Sequence, residues 1–247
     1  MSKMVITSLE NEKVKHYFKL QQKKYRDLNN EFLVEGEHLV LEAAHHQFLK
    51  EVMVSSDKNL NLNVPVYQVT EEILKKISKL DTPPDIIGLC KKNEDQTIGD
   101  RILILDSIQD PGNLGTIIRS AVAFDIDTII LGDNTVDLYN PKVLRATQGM
   151  IFHIPIFRFE IKELIPMLKA LNIPLLSTKV ENGINIEELS SGEKKRFALI
   201  AGNEGQGVKK EYLDASDKCI YIPTNQNVES LNVAIATSII LYEMRKY

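Results

Sequence analysis

The stretch Asp106–Phe124, "DSIQDPGNLGTIIRSAVAF", predicts both a fold and a site. It follows the apolar run "RILIL" (101–105), breaks at Pro111 and Gly112, and continues as an apolar helix that carries one cation, Arg119. At 100° per residue Arg119 sits just past the apolar stripe, one turn after Gly115. Helical side chains lean toward the N-terminus, so we expect the guanidinium to reach over Gly115 toward Asn113, where a phosphate or a ribose could bind. An exposed arginine without a binding role is the alternative.

Strands and helices alternate after residue 99, which predicts an α/β domain with a parallel sheet covered on both faces. Before it, short strands and helices predict a smaller α/β domain. The polar stretch "KKNEDQTIGD" (91–100) lies between these two regions. We therefore expect two domains, 1–95 and 99–247.

Composition excludes several classes of protein. The 247 residues are 43% hydrophobic and 26% charged, as in an ordinary globular chain. No apolar run approaches the roughly 20 residues that span a bilayer, and the N-terminus lacks a secretory signal, so we predict a cytoplasmic protein. Cys90 and Cys219 are predicted to be free thiols. The histidines have no ligand-like spacing, and no metal is expected.

The net charge of −4 argues mildly against a nucleic-acid binder, but the distribution of charge is uneven. Residues 1–26 contain seven basic and two acidic residues, an excess of five positive charges on a predicted helix. Such a face could contact phosphates, and a solvated helix surface is the alternative. The basic residues are Lys3, Lys13, Lys15, Lys19, Lys23, Lys24 and Arg26.

Two further loops follow predicted strands, at the edge of a parallel sheet where ligands bind. "AGNEGQGV" (201–208) is not a nucleotide-binding P-loop, because Val208 stands where the lysine is needed. Its glycines leave backbone groups open to a ligand, and Glu204 offers an acceptor for a hydroxyl or amine; a tight turn is the alternative. In "IPTNQNVESLN" (222–232), Ser230 and Asn232 either cap a helix or point at a ligand. Small residues after them predict close helix packing, including packing between subunits.

Taken in order, the three loops resemble the three motifs of the SpoU, or TrmH-like, branch of the SPOUT RNA methyltransferases. The first motif is matched by Asn113, Gly115 and Arg119, and the second by Gly202, Glu204 and Gly207. The third is matched by Ile222, Pro223, Ser230, Leu231, Asn232 and Val233. In addition, "FLVEGEHLVLEA" (32–43) is similar to the N-terminal RNA-binding domain of many members, so the resemblance covers essentially the whole chain.

The resemblance implies an α/β fold in two parts: a C-terminal parallel-sheet SPOUT domain with a deep trefoil knot, and a small N-terminal ribosomal-protein-like α/β domain. It implies a homodimer through the C-terminal domain, and methyl transfer from S-adenosylmethionine to a ribose 2′-hydroxyl of RNA, with ribosomal RNA expected. A tRNA 2′-O-methyltransferase is one alternative. A noncatalytic RNA-binding homologue is another, because Thr224, Asn225 and Gln226 stand where the family often has Met-x-Gly.

The resemblance also assigns roles to residues. The catalytic residues it implies are Asn113, Arg119, Glu204, Ser230 and Asn232. The cofactor-binding residues are Gly202, Asn203, Glu204, Gly205, Gly207, Ile222, Pro223, Ser230, Leu231 and Asn232. The RNA-binding residues are Lys13, Lys15, Lys19, Lys23, Lys24, Arg26, Arg119 and Arg145. In the family the arginine is assigned the removal of the hydroxyl proton; since a guanidinium is a poor proton acceptor near neutrality, stabilisation of phosphate and oxyanion charge stays open.

Overall fold

The computed structural model describes residues 4–55, 61–180, 183–225 and 227–245. Its strands are β1 (Met4–Ile6), β2 (Glu31–Glu35), β3 (Leu49–Val54), β4 (Val66–Val69), β5 (Ile86–Lys91), β6 (Arg101–Leu105), β7 (Thr128–Leu131), β8 (Ile156–Arg158), β9 (Leu175–Thr178), β10 (Ile184–Asn185), β11 (Phe197–Ala201) and β12 (Lys218–Tyr221). Its α-helices are α1 (Glu12–Lys19), α2 (Lys23–Asn29), α3 (Glu37–His45), α4 (Glu71–Ile77), α5 (Pro111–Ala123), α6 (Pro141–Thr147), α7 (Ile161–Ala170), α8 (Ser191–Lys195), α9 (Lys210–Ala215) and α10 (Val233–Glu243).

The chain divides into two compact units. The first contains Met1–Asn93 and Asp137–Phe152, and the second contains Glu94–Val136 and His153–Tyr247. The first unit is therefore built from two separate segments of the chain, and helix α6 belongs to it.

A mixed sheet forms the centre of the first unit, in the order β1-β4-β3-β5-β2. Strands β1, β4 and β3 are parallel, while β5 runs antiparallel to both β3 and β2. Successive strand residues face opposite sides, so Ile87 and Leu89 pack with the apolar residues of α1 and α4. Gly88 faces α3, where an added Cβ would lie 3.2 Å from the Val40 side chain. The sheet thus has helices on both faces.

The basic N-terminal segment does not form the single helix that the sequence predicts. Strand β1 comes first, and α1 and α2 are separated by residues 20–22. Arg26 explains the break, because its Nη1 donates to the carbonyl oxygens of Leu20 and Gln21, at 2.8 and 2.9 Å. These bonds take the place of the helical bonds that those carbonyls would otherwise accept.

Arg26, one of the predicted RNA-binding residues, does not lie on an exposed basic face. The residue is only 5% exposed, and its Nη2 donates to the Asp137 carboxylate at 2.5 Å. Asp137 opens the second chain segment of this unit. A guanidinium committed to two carbonyls and a carboxylate holds the two segments of the unit together.

The second unit contains a parallel sheet in the order β10-β12-β9-β11-β6-β7-β8. Every residue of β6, β7 and β11 is buried, as expected for a parallel sheet covered on both faces. This confirms the predicted α/β class. After β6 the chain builds β7 and β8 on one side, and then β9, β11 and β12 on the other, so β6 and β11 flank the point where strand order reverses.

Side-chain caps set the starts of two helices near the sheet edge. Helix α5 begins at Pro111, since Asp110 caps it by accepting from the Asn113 N–H at 2.8 Å. Helix α10 begins at Val233, because Asn232 is the cap. Helix α7 continues through Pro166 to Ala170.

Cys90 and Cys219 are free thiols, as predicted. None of the helices in the described ranges has the length and apolar character needed to cross a membrane. The trefoil knot implied by the resemblance stays a prediction.

Replacing Arg26 tests its structural role. We expect Arg26→Ala to lower the free energy of unfolding by about 2 to 4 kcal/mol, because it leaves two carbonyls and the partly buried Asp137 carboxylate without their donor. Urea unfolding followed by circular dichroism measures this change. Lys24→Ala, an exposed change on the same helix, is the control and should stay within about 0.5 kcal/mol of the parent. Unchanged stability of Arg26→Ala would contradict this role.

Candidate functional site

The loops singled out in the sequence leave one edge of the second unit's sheet. The loop 106–110 follows β6, the loop 202–209 follows β11, and the loop 222–232 follows β12. In the sheet, β6 lies beside β11, and only β9 separates β11 from β12. Because the strands are parallel, their carboxyl ends meet at the same edge, and the loops converge there.

A chain of side-chain hydrogen bonds connects the three loops. Asn232 Nδ2 donates to Asn113 Oδ1 at 3.0 Å. Asn113 Nδ2 in turn donates to Glu204 Oε1 at 3.1 Å. The two bonds join residues that are 119 and 91 positions apart in the sequence. The convergence predicted from strand ends is therefore fixed by direct contacts between Asn113, Glu204 and Asn232.

The partners of this chain determine which way each amide points. Asn232 Oδ1 accepts from the Ala234 and Ile235 N–H groups at the start of α10, at 2.9 and 3.3 Å, so its NH₂ group must face Asn113. Asn113 must then present its oxygen to Asn232 and its NH₂ to the Glu204 carboxylate. One amide hydrogen and one lone pair of Asn113 remain available to a ligand.

Glu204 anchors the start of α5 as well. Its carboxylate accepts from the backbone N–H groups of Gln109 and Asp110 at 3.4 and 3.3 Å, in addition to the Asn113 amide. With the Asn203 amide as a fourth donor at 3.5 Å, the carboxylate ties the loop after β11 to the start of α5. The sequence predicted that the Glu204 carboxylate accepts a hydrogen bond from a ligand hydroxyl. Because its oxygens already accept hydrogen bonds from neighbouring segments of the chain, fewer lone pairs remain for a ligand than expected.

The loop after β11 is a tight hairpin. Asn203 and Gly207 exchange two backbone hydrogen bonds, each 3.0 Å, and Asn203 Oδ1 accepts from the Gly205 and Gln206 N–H groups. Gly207 has a φ of +69°, a conformation that favours glycine. A Cβ on Gly202 would lie 2.1 Å from the Gly207 carbonyl carbon and the Val208 nitrogen. Both glycines are therefore required by the backbone itself.

A cavity of about 350 Å³ opens beside this hairpin. Its walls combine exposed backbone of the 202–208 loop with apolar side chains such as Leu231 and Ile240. Its volume falls within the ~300–1,000 Å³ range of small-molecule sites. Predicted cofactor-binding residues that line it are Gly202, Asn203, Glu204, Gly205, Gly207, Ile222, Ser230 and Leu231.

Other predicted residues lie outside its walls. Pro223 and Asn232 are not among the lining residues. Arg119 is exposed on α5 and makes no hydrogen bond or ion pair with the described residues. Of the loop that departs from the family pattern, Thr224 lines the cavity, Asn225 is exposed, and Gln226 lies outside the described residues.

The sequence reasoning missed the loop after β9. Thr178, Lys179 and Val180 line the cavity, because β9 lies between β11 and β12 in the sheet. The sequence did contain a signal for them, since Thr178 ends the strand-like run "PLLST" (174–178) and Lys179 and Val180 directly follow it. Strand order was needed to bring them to the site.

It also missed Asp106, the first residue after β6. Asp106 is 1% exposed, and its carboxylate accepts from the Lys209 N–H at 3.3 Å and pairs with Lys209 Nζ at 3.3 Å. Burial lowers the pKa of Lys209, but the charge and hydrogen bond of Asp106 outweigh burial and raise it above its ordinary value. The pair supports the far end of the 202–208 hairpin.

Comparisons with known proteins agree with this geometry. The SpoU rRNA methylase family matches residues 100–242, and the MRM3-like substrate binding domain matches residues 11–88. The chain is 39% identical to the 23S rRNA (guanosine(2553)-2′-O)-methyltransferase RlmP of Bacillus subtilis, over 97% of this chain and 98% of that protein.

Solved structures are similar as well. An rRNA methyltransferase from Sinorhizobium meliloti superposes with a TM-score of 0.87 at 30% identity, covering 99% of this chain and 98% of that one. The AdoMet-bound rRNA methyltransferase from the same organism superposes with a TM-score of 0.85 at 31% identity, covering 97% and 96%.

Substituting Gly202 tests whether the hairpin shapes the cavity. We expect Gly202→Ala to weaken binding of S-adenosylmethionine at least about 100-fold, because the new Cβ collides with backbone and opens the hairpin. Isothermal titration calorimetry measures the affinity. Gly192→Ala in α8, which does not line the cavity, is the matched control, since its Cβ would meet only Ser190 Oγ at 3.9 Å. Equal affinities for the two variants would contradict the argument.

Replacing Asn113 with aspartate tests the hydrogen bonds that connect Asn232, Asn113 and Glu204. A carboxylate at this position faces the Glu204 carboxylate in place of the 3.1 Å donor. We expect Asn113→Asp to lower the free energy of unfolding by about 1 to 3 kcal/mol in urea denaturation. Thr116→Asp adds the same charge at an exposed position on the same helix and should cost less. An equal loss of unfolding free energy in the two variants would contradict a specific role of Asn113.

Proposed function

The chain belongs to the SpoU rRNA methylase family, and from this we propose that it methylates a ribose 2′-hydroxyl of ribosomal RNA with S-adenosylmethionine as donor. The observation that carries the proposal is the Asn232–Asn113–Glu204 chain, which joins the three family motifs beside a cavity of suitable size. The chain is therefore an enzyme of the RNA (ribose-2′-O-)-methyltransferase class.

The cavity suits the proposed cofactor. The bound molecule would have a flat adenine, hydroxyl groups and a charged amino-acid part. Apolar walls such as Leu231 and Ile240 suit the flat ring, while the open backbone groups of the 202–208 hairpin suit hydroxyls and the amino-acid part. When bound, S-adenosylmethionine supplies a methyl group on positively charged sulfur, which a ribose oxygen can attack in line.

The proposed cofactor-binding residues follow from these walls and from the family motifs. They are Gly202, Asn203, Glu204, Gly205, Gly207, Ile222, Pro223, Ser230, Leu231 and Asn232. Among them, Ser230 is exposed at the cavity and has no hydrogen bond with the described residues. Asn232 is the cap of α10, so we assign capping to Asn232 and ligand contact to the Ser230 hydroxyl.

We divide the proposed catalytic residues by what their groups are already bound to. The side chains of Glu204 and Asn232 form hydrogen bonds between the loops, and we assign them the role of positioning Asn113. Asn113 keeps one amide hydrogen free for the substrate ribose or its phosphate. Positioning is the main service that a methyl transfer needs, because a fixed approach supplies up to roughly 7 to 11 kcal/mol of the barrier.

Arg119 has a different role in this proposal. Its guanidinium has no hydrogen-bond or ion-pair partner among the described residues, so it keeps its planar set of donors for an anion. Because a guanidinium stays protonated near neutrality, we assign it stabilisation of a substrate phosphate and of the developing oxyanion rather than removal of the proton.

Ribosomal RNA is the favoured substrate class over tRNA. The B. subtilis relative named for 23S rRNA matches both units over nearly the whole chain, including the substrate-binding part. The alternative of a noncatalytic homologue rested on residues 224–226, but Thr224 lines the cavity and the named relative is a methyltransferase.

Further family features are part of the proposal. We propose domains at 1–95 and 99–247, a trefoil knot in the second, action in the cytoplasm, and a homodimer through the C-terminal domain. The dimer is supported by α10, which leaves Ile235, Ile239 and Tyr242 exposed to 53%, 36% and 47%. Arg145, half-buried on α6, and Lys19 and Lys24 of the N-terminal segment are proposed RNA contacts.

Methyl transfer to ribosomal RNA tests the function. We expect the protein to transfer labelled methyl groups from S-adenosylmethionine to ribosomal RNA of cells that lack this gene, and the modified linkage to resist alkali. Arg119→Ala should lower kcat/KM by about 100-fold or more, because charge stabilisation in the transition state is lost. Single-turnover rates measured across pH report whether proton removal contributes.

Two controls make this experiment decisive. Lys169→Ala removes an exposed cation on α7 and should leave kcat/KM within about twofold. Arg119→Lys keeps the charge but not the planar donors, so its activity should fall between the parent and the alanine variant. Transfer of methyl groups to tRNA but not to ribosomal RNA would overturn the substrate class, and no transfer at all would favour the noncatalytic homologue.

A further inference from the structure

One surface of the first unit combines cations with aromatic rings. It is formed by the C-terminal end of α1, the turn 20–22, α2 and the C-terminal end of α4. We call it the α1–α4 surface, and its residues are Phe18, Lys19, Lys24, Tyr25, Lys76 and Lys79. Only Lys19 and Lys24 belong to the cations that the sequence pattern singled out.

Direct contacts bring the two halves of this surface together. Gln21 Nε2 donates to the carbonyl oxygen of Lys76 at 3.3 Å and also to that of Ile77. Lys79 Nζ donates to the carbonyl oxygen of Gln21 at 3.2 Å. The turn between α1 and α2 is thus docked on the end of α4, and the lysines of both segments face solvent side by side.

The lysines of the α1–α4 surface differ from their neighbours in the chain. Lys13, Lys15 and Lys23 are each paired with carboxylates, those of Glu51, of Glu10 and Glu12, and of Asp27 respectively. In contrast, the four lysines of the surface form no ion pair with the described residues. No acidic residue occurs between 13 and 26 or between 73 and 80. Like charges held together without neutralisation favour a polyanionic partner.

Aromatic rings lie among these lysines. Phe18 is 41% exposed, although phenylalanine is usually buried, and Lys76 Nζ lies 6.0 Å from its ring centroid. Lys19 Nζ and Lys24 Nζ each lie 5.9 Å from the Tyr25 ring centroid. Single-stranded RNA is recognised by this combination, in which bases stack on rings and phosphates meet cations. A double helix would keep its base faces inside the stack and leave Phe18 without a partner.

We propose that the α1–α4 surface binds a single-stranded segment of the RNA substrate, with one unstacked base on Phe18 and the adjoining phosphates on the lysines. The proposal rests on the proposed function, because it assigns the surface to the same RNA. It also replaces the face first expected from the sequence, since Arg26 is buried and Lys13, Lys15 and Lys23 are paired.

A stacking probe tests the role of Phe18. The full-length protein is titrated into a mixed-sequence 12-nucleotide RNA that contains 2-aminopurine, whose fluorescence falls when the base stacks. We expect quenching with the parent protein, and an affinity about tenfold or more lower with Phe18→Ala, together with loss of the quenching. The control is Leu41→Ala, which removes an exposed apolar side chain from α3 on the opposite face of the sheet and should change neither.

Salt dependence tests the lysines. Single-stranded RNA binding weakens with salt in proportion to the number of phosphate contacts, at about 0.7 per contact. The variant Lys76→Ala/Lys79→Ala should therefore reduce the slope of log affinity against log salt by about 1.4. Lys169→Ala/Lys195→Ala removes the same charge from unpaired, exposed lysines of the second unit and should leave the slope unchanged.

The outcomes separate this inference from the proposed function. No binding of the 12-nucleotide RNA by the parent, quenching that survives Phe18→Ala, or equal salt slopes for the two double variants would each overturn the surface. Titration of S-adenosylmethionine into the same proteins should give equal affinities. If the cofactor fails to bind while the RNA results hold, the methyltransferase function fails and the surface stands.

Discussion

The hydrogen-bond chain from Asn232 through Asn113 to Glu204 is the constraint on which the site depends. Strand order brings the three loops to one edge, but loops of this length have many conformations, and their ordering costs roughly 1–2 kcal/mol per residue. The two hydrogen bonds limit that freedom by fixing one residue in or next to each loop, namely Asn113, Glu204 and Asn232. Because the Asn232 oxygen is committed to capping α10, the direction of every amide along the chain is set by a helix end.

The hairpin after β11 adds a constraint that side chains alone cannot supply. At Gly202 the backbone folds back to within 2.1 Å of the point where a side chain would begin, and Gly207 supplies the positive φ of the turn. Asn203 and Gly207 bind each other through two backbone hydrogen bonds, so the backbone beside the cavity is held in one conformation. Backbone groups held in this way need no reorganisation when a ligand arrives, so the loop recognises polar groups with little entropic cost.

The sequence predicts the strands best, because each buried strand is marked by a short apolar run. The alternation of strands and helices after residue 99 could be predicted, because buried strands such as Thr128–Leu131 and Phe197–Ala201 are continuous apolar runs in the sequence. The starts of α5 and α10 depend instead on single capping side chains, those of Asp110 and Asn232. Contacts between distant segments, such as Arg26 with Asp137, have no local signature. The motif residues of the site were found through resemblance, while Thr178–Val180 required the strand order.

The same physical distinction explains the charged residues of both units. A charged group whose bonds are satisfied within the chain stabilises structure, as Arg26, Glu204 and Asp106 do. A cation that the fold leaves without a counter-charge, such as Arg119 or Lys79, keeps its charge for a phosphate. The amino-acid composition does not distinguish these two kinds of charged residue. A chain with a net charge of −4 can therefore carry local surfaces of positive charge. Affinity for RNA is decided by the unsatisfied cations, which only the folded arrangement separates from the rest.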